Sequence, residues 1–357
     1  MGMMSVLAGM VITVLPLVSV VALWIASLYD QRFANIVYKL HLLRIGLSHM
    51  IFSQDKRWPR QADAAGILDT VDSTKQIIFV RHGESRWNEV FNKGFGPSFP
   101  GRLFRALRDE FLQATTLDST FLDSPLSEEG TMQAAGLAKF VESSDEGIGA
   151  VLKGLEGESV LVSSNLRRAL STATIGFWSR LQRTQEKIHI LSCLQEVSVN
   201  VDCVALAKPQ GYPELSDEEL HGINMKKMTW TPERFFNGLE NDGDKPVSSR
   251  GIHRVKDFAA WCFEHDEPTV IAAGHSLYAR HFFNTFLPLS STNIARTNKM
   301  KNCAVVAFTL ERGKLKNGKT WYRIQEDSVD PLYLGFEDKG KKVKKRKSSK
   351  RESAKNE

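Results

Sequence analysis

Gln76-Ile77-Ile78-Phe79-Val80-Arg81-His82-Gly83-Glu84-Ser85 is the stretch from which the fold can be read. Its first half is short, apolar and rich in β-branched side chains, the composition of a strand covered on both faces. The chemistry begins where the apolar run stops: an arginine, a histidine and a glycine sit at the carboxyl end of the strand, where catalytic groups of α/β sheets commonly lie. Three other stretches repeat the arrangement. Val160-Leu161-Val162 leads into Ser163-Ser164-Asn165-Leu166-Arg167-Arg168-Ala169-Leu170-Ser171-Thr172, which opens a predicted helix. Gln195-Glu196-Val197 follows a third apolar run, and Thr269-Val270-Ile271 leads into Ala272-Ala273-Gly274-His275-Ser276. Four polar clusters at strand ends can converge above one sheet. The pattern predicts one α/β domain, a three-layer α/β/α sandwich with a mostly parallel central sheet and helices on both faces.

The order of these motifs resembles the histidine phosphatase superfamily, in its phosphoglycerate-mutase-like branch. The resemblance covers roughly Lys75 to Gln325. It rests on R-H-G-E-S-x-W-N at Arg81 to Asn88, D-x-P-L-S-x-x-G at Asp123 to Gly130, S-x-L-x-R-A-x-x-T at Ser164 to Thr172, an acid at Glu196 and G-H-S at Gly274 to Ser276. The resemblance implies a phosphohistidine mechanism, and the residue types suit it. A phosphate ester dianion repels anionic nucleophiles, so a neutral imidazole is a sensible attacker, and charge on the phosphoryl oxygens must be met by fixed cations. His82 is expected to attack, Arg81 and Arg168 to clamp the phosphoryl group, and a protonated His275 to add a charge-assisted contact. Glu196 is expected to protonate the leaving oxygen and then to activate water, with Glu84 and Glu214 as rival acids. Ser85 and Asn88 are expected to line the phosphate pocket, with helix capping the plain alternative for Ser85. Arg167 reads as a solvated helix residue.

Neither a metal nor a cofactor is implied. The remaining histidines show no ligand spacing, and Cys193, Cys203, Cys262 and Cys303 form no C-x-x-C pair. Cysteines so sparse suggest a reducing compartment. Mutases follow their acid with E-R-H-Y-G, whereas this chain has Glu196-Val197-Ser198-Val199-Asn200, which favours a phosphatase over a mutase-type phosphotransferase. A non-catalytic phosphate-binding scaffold is the other alternative. The insertion Phe91 to Pro100, the helix predicted over Arg102 to Gln113 and the irregular region Ala207 to Pro246 are expected to cover the pocket and choose the substrate, a phosphorylated protein or small molecule.

The two ends of the chain differ from its middle. From Ser5 to Leu28 no side chain is charged, and that length exceeds the roughly 20 residues that span a bilayer as a helix. The expectation is a single transmembrane anchor over residues 1–31; a cleaved signal peptide is the rival reading. Phe33, Ile36, Val37, Leu40, Leu43, Leu47 and Met50 recur at helical spacing among Lys39, His41, Arg44 and His49. They predict, within a segment 32–74, a basic amphipathic helix on the membrane surface followed by a linker. All nearby cations, from Arg32 to Arg60, follow the apolar stretch, which places the phosphatase domain, 75–330, in the cytosol. The net charge of +6 resides in the tail, since residues 337–357 hold ten Lys or Arg against four acids. A basic disordered tail, 331–357, suits an anionic leaflet better than nucleic acid.

Overall fold

The computed structural model describes residues 16–58, 68–143, 145–226 and 229–338. The chain opens with helix α1 (16–27) and α2 (Gln31–Phe52), followed by β1 (Thr70–Arg81), α3 (Arg86–Phe91) and α4 (Phe99–Leu112). Next come α5 (Glu128–Val141), α6 (Ile148–Lys153), β2 (Ser159–Ser164), α7 (Arg167–Gly176), α8 (Trp178–Thr184) and β3 (Ile188–Leu191). The short helices α9 (Asp217–His221) and α10 (Pro232–Phe235) precede β4 (Phe236–Asn237), α11 (Gly251–Glu264), β5 (Thr269–Gly274) and α12 (Ser276–Phe286). Strands β6 (Val305–Lys314), β7 (Thr320–Ile324) and β8 (Asp330–Tyr333) close the sheet.

The sheet is mixed. Its order is β4-β3-β2-β5-β1-β6-β7, with β8 on β6; the run from β4 to β1 is parallel, and β6, β7 and β8 join antiparallel. Successive side chains of a strand point to opposite faces, and β1 shows it. Ile77 and Phe79 pack with Val255 and Phe258 of α11 and Phe282 and Phe286 of α12. Ile78 and Val80 pack with Ala134 and Leu137 of α5 and Leu170 and Ala173 of α7. The α/β domain draws in chain on both sides of 75–330, because β1 begins at Thr70, β8 runs to Tyr333 and Phe336 is buried.

The expected span over Ser5–Leu28 falls in part on residues 1–15, outside the described residues. Its described remainder is the short helix α1, and among the described residues no helix is long and apolar enough to cross a membrane. The basic tail beyond residue 338 also lies outside the described residues.

Helix α2 buries the face opposite its apolar stripe, and Lys39 and His49 of the expected basic face turn inward with it. Its buried face is Asn35, Lys39, Leu42, Gly46 and His49, not the apolar stripe, and Phe33, Leu40, Leu43, Leu47 and Met50 point outward. The inner face works because each buried polar group finds a partner from distant sequence. Lys39 Nζ donates to the carbonyls of Gln113 (2.7 Å) and Asp118 (2.9 Å), and His49 Nε2 lies 3.1 Å from the Lys245 carbonyl. Leu42 fills a cluster with Leu122, Val204 and Leu206, and at Gly46 a Cβ would stand 2.9 Å from Val201 Cγ1.

Two motif glycines hold the loop after β1 against the start of α5. A Cβ on Gly83 would lie 2.6 Å from the Gly130 carbonyl oxygen, and one on Gly130 would lie 2.0 Å from the Glu84 carbonyl oxygen. Ser127 then caps α5 with its hydroxyl on Gly130 N–H while its own N–H donates to Glu84 O at 2.9 Å. We expect Gly130→Ala to separate these backbones and to destabilise the protein by ~2–3 kcal/mol. Thermal melting read beside an exposed-site control such as Lys139→Ala checks it.

Candidate active site

Four strand ends bring the predicted residues together. Arg81 closes β1 opposite Gly274 of β5, and the His82 amide donates to Gly274 O at 3.0 Å. His275 is the N-cap residue of α12, Ser164 ends β2, and Arg168 stands in the first turn of α7. Glu196 follows β3 and a single 3-10 turn. A cavity of about 180 Å³ is lined by Arg81, His82, Arg168 and Glu196, with Trp87, Asn88 and Asn92 on one wall and Ser198, Asn200, Asp202 and Lys299 on others.

The tautomer of His82 follows from its neighbours. Nδ1 lies 2.5 Å from the Gly83 carbonyl, an oxygen that only accepts, so Nδ1 carries the proton and Nε2 keeps its lone pair. Burial, then the charges of Arg168 and Arg81, hold the imidazole pKa well below 6.5, so the ring is neutral. Gly83 N–H donates to Thr172 Oγ1 at 3.0 Å, which ties the histidine loop to α7.

His275 stands with its ring centroid 5.0 Å from that of His82, and its Nε2 is 2.8 Å from Ser164 Oγ. Burial and the nearby Arg168 hold its pKa well below 6.5 as well, which favours the neutral ring. Arg81 Nε, Arg168 Nε and His275 Nδ1 are buried and have no protein partner.

The two adjacent arginines divide their work. Arg168 donates to Asp202 O at 2.7 Å and to Cys203 Sγ at 3.2 Å, and lies 3.4 Å from the Asp202 carboxylate. Burial disfavours its charge, but Cys203 and Asp202 more than offset this and its pKa is raised. Arg167 is not solvated. It is fully buried, pairs with Asp118 at 2.5 Å and donates to Ser119 O at 2.9 Å, while its own N–H donates to Asp123 Oδ1 at 2.7 Å. Asp123 also accepts from Leu206 N–H at 3.1 Å, and burial pushes its carboxyl up to about 6.

Ser85 caps α3, accepting from Asn88 N–H at 3.2 Å, and is absent from the cavity wall, whereas Asn88 lines it. The rival acids are elsewhere: Glu84 pairs with Lys93 at 2.9 Å, and Glu214 is exposed. The nearer competitor is Asp202, which sequence reasoning missed; its only signal was a carboxylate six residues after Glu196. Burial raises the pKa of both, and for Glu196 the Arg168 charge and the N–H groups of Tyr278 (2.9 Å) and Val197 (3.0 Å) oppose that rise only in part. Of the insertion Phe91–Pro100, Asn92 lines the cavity, while among the described residues the helix expected over Arg102–Gln113 and the region Ala207–Pro246 contribute no lining residue. Cys193, Cys203, Cys262 and Cys303 are all free thiols.

A model of the histidine phosphatase superfamily, branch 1, matches residues 114–321. The chain belongs to that superfamily. The matched span begins after His82, whose place beside Arg168 and His275 comes from the coordinates. Among solved structures, a mycobacterial glucosyl-3-phosphoglycerate phosphatase with vanadate is 16% identical, with 72% of this chain and 100% of that one covered at a TM-score of 0.35. A phosphoserine phosphatase from Entamoeba histolytica with phosphoserine is 16% identical, with 72% and 98% covered and a TM-score of 0.34. The ecdysone phosphate phosphatase of the silkworm Bombyx mori with tungstate is 17% identical, with 72% and 94% covered and a TM-score of 0.37. No curated protein matches the chain.

Asp202 pairs with Arg168 and adds a carboxylate to the cavity that Arg81 and Arg168 line. Asp202→Asn is expected to tighten inhibition by orthovanadate by at least about fivefold, the factor that ~1 kcal/mol supplies. Inhibition constants against p-nitrophenyl phosphate turnover check it.

Proposed function

We propose that this member of the superfamily is a metal-independent phosphatase that hydrolyses a phosphomonoester through a phosphohistidine on His82. The observation that carries the reading is the His82 ring, neutral and held by Gly83 O with Nε2 unprotonated, in a cavity walled by Arg81, Arg168 and Glu196. In the first step the Nε2 lone pair forms a bond to phosphorus as the bond to the leaving oxygen breaks, and that oxygen takes the Glu196 proton. In the second, Glu196 takes a proton from water, the water oxygen bonds to phosphorus, and the N–P electron pair returns to imidazole. The arginines meet the charge on the phosphoryl oxygens throughout.

His82→Ala should abolish turnover and an acid-labile, base-stable phosphoryl label; label on serine or cysteine would exclude the mechanism. Glu196→Gln should lower phenyl phosphate turnover at least ~100-fold and p-nitrophenyl phosphate far less, because the second leaving group needs little protonation. Equal losses would move the acid to Asp202. His82 must be neutral, so activity falls as pH drops through a pKa below 6.5. Glu196 must be protonated, so phenyl phosphate turnover falls as pH rises through a pKa above 4.5, and Glu196→Gln removes that limb.

The same reading includes attachment to a membrane with the catalytic domain on the cytosolic side. It is supported by the uncharged stretch Ser5–Leu28 and by the outward apolar side chains of α2, beside which α4 exposes Phe104, Leu107 and Phe111. Full-length protein should resist alkaline carbonate extraction from membranes. Recovery of a shorter soluble species lacking the N-terminus would indicate a cleaved leader instead.

A further inference from the structure

We infer that Asp55, on the segment that leaves α2 and outside every motif of the family, is a positioning residue for Glu196. The inference rests on Glu196 being the acid and concerns what holds it in place.

The Asp55 side chain is 1% exposed and is fully engaged. Oδ1 accepts from Arg254 Nη1 at 2.7 Å; Oδ2 accepts from Lys245 Nζ at 2.8 Å, Arg254 Nη2 at 3.2 Å and the Ser198 N–H at 3.1 Å. The same two cations reach past it to the backbone that carries Glu196. Lys245 Nζ donates to the carbonyls of Glu196 (2.6 Å) and Ser198 (2.7 Å), and Arg254 Nη2 donates to those of Gln195 (3.2 Å) and Glu196 (3.3 Å). One carboxylate therefore fixes two buried cations, and together they pin Gln195, Glu196 and Ser198. The Glu196 side chain leaves from a backbone held on both sides by these donors.

The strap around Asp55 is itself anchored. The Asp55 carbonyl accepts from Gly251 N–H at 3.1 Å at the start of α11, and Trp58 stacks on His281 of α12 with ring centroids 4.1 Å apart. On the α2 side, His49 touches the Lys245 carbonyl, and Gln195 Oε1 accepts from Lys245 N–H at 3.0 Å. A continuous hydrogen-bonded path thus runs from α2 to the acid loop. Two cations facing one carboxylate leave excess positive charge beside Glu196, so removal of Asp55 does more than loosen the loop. The charged groups that face Glu196 are Arg81 at the end of β1, Arg168 of α7, Lys245 and Lys299, with the Cys203 thiol beside them. With Asp55 neutral, the uncompensated Lys245 further favours the Glu196 carboxylate.

The test uses the full-length protein and two substrates of nearly the same shape. Asp55→Asn should lower kcat on phenyl phosphate at least about tenfold more than on p-nitrophenyl phosphate, as a misplaced acid would, with little change in KM. The falling limb of the phenyl phosphate pH profile should move to lower pH, and Asp55→Glu should recover part of the loss. Equal losses on both substrates with an unmoved limb overturn the inference. If Asp55→Asn does not fold, Arg254→Lys, which keeps the cation but loses the second donor, must show the same selectivity or the inference fails. Glu196→Gln measured alongside separates the two claims. If it shows no selectivity, the acid assignment falls and the inference with it; if it does and the Asp55 and Arg254 variants do not, only the positioning role falls.

Discussion

The parallel pairing of β1 with β5 is the constraint on which the site depends. It sets Arg81 level with Gly274, so that the next residue of each strand is a histidine, and the two rings come within 5.0 Å. A slip of one residue would turn Ile77 and Phe79 toward α5 and α7 and Ile78 and Val80 toward α11 and α12, exchanging the two cores. Register is thus fixed by buried apolar side chains on both faces, and the histidines inherit it. The Gly83–Gly130 contact and the Gly83 bond to Thr172 then lock the loop that His82 begins.

Around this centre the protein manages an unusual load of buried charge. Arg167 and Arg168 are adjacent and both buried, yet they face opposite duties because a helix turns neighbouring side chains apart. Arg167 joins Asp118 and the Ser119 carbonyl, while Arg168 meets Asp202 at the cavity. A buried ion pair contributes little net stability, but loss of one partner is expensive. Such pairs define one arrangement of loops more than they add to stability, and here the loops they define are those carrying the chemistry.

The segment ahead of the sheet belongs to this arrangement. Helix α2 docks through Lys39, Leu42 and His49, and Asp55 enters the cluster behind Glu196. Its apolar stripe is left to the exterior next to the exposed side chains of α4. Helix α2 and the acid loop are joined through the hydrogen bonds of His49, Lys245 and Asp55.

The amino-acid sequence by itself determined the apolar runs of β1, β2 and β5 with their polar ends, and its resemblance to the superfamily singled out His82, Arg81, Arg168, Glu196 and His275. These are legible because each rests on a contiguous run: an apolar stretch of strand length followed by functional groups at fixed offsets. The tertiary structure alone decided which charges are buried and toward what. Arg167 reads as a surface residue until Asp118 is placed beside it, and Lys39 and His49 read as a solvated helix face until the Gln113, Asp118 and Lys245 carbonyls arrive. Asp202 gave no signal beyond a carboxylate six residues after Glu196, and Asp55 sat in what reads as a linker. Burial of a polar group depends on whether partners far along the chain satisfy it, and neither periodicity nor spacing carries that information.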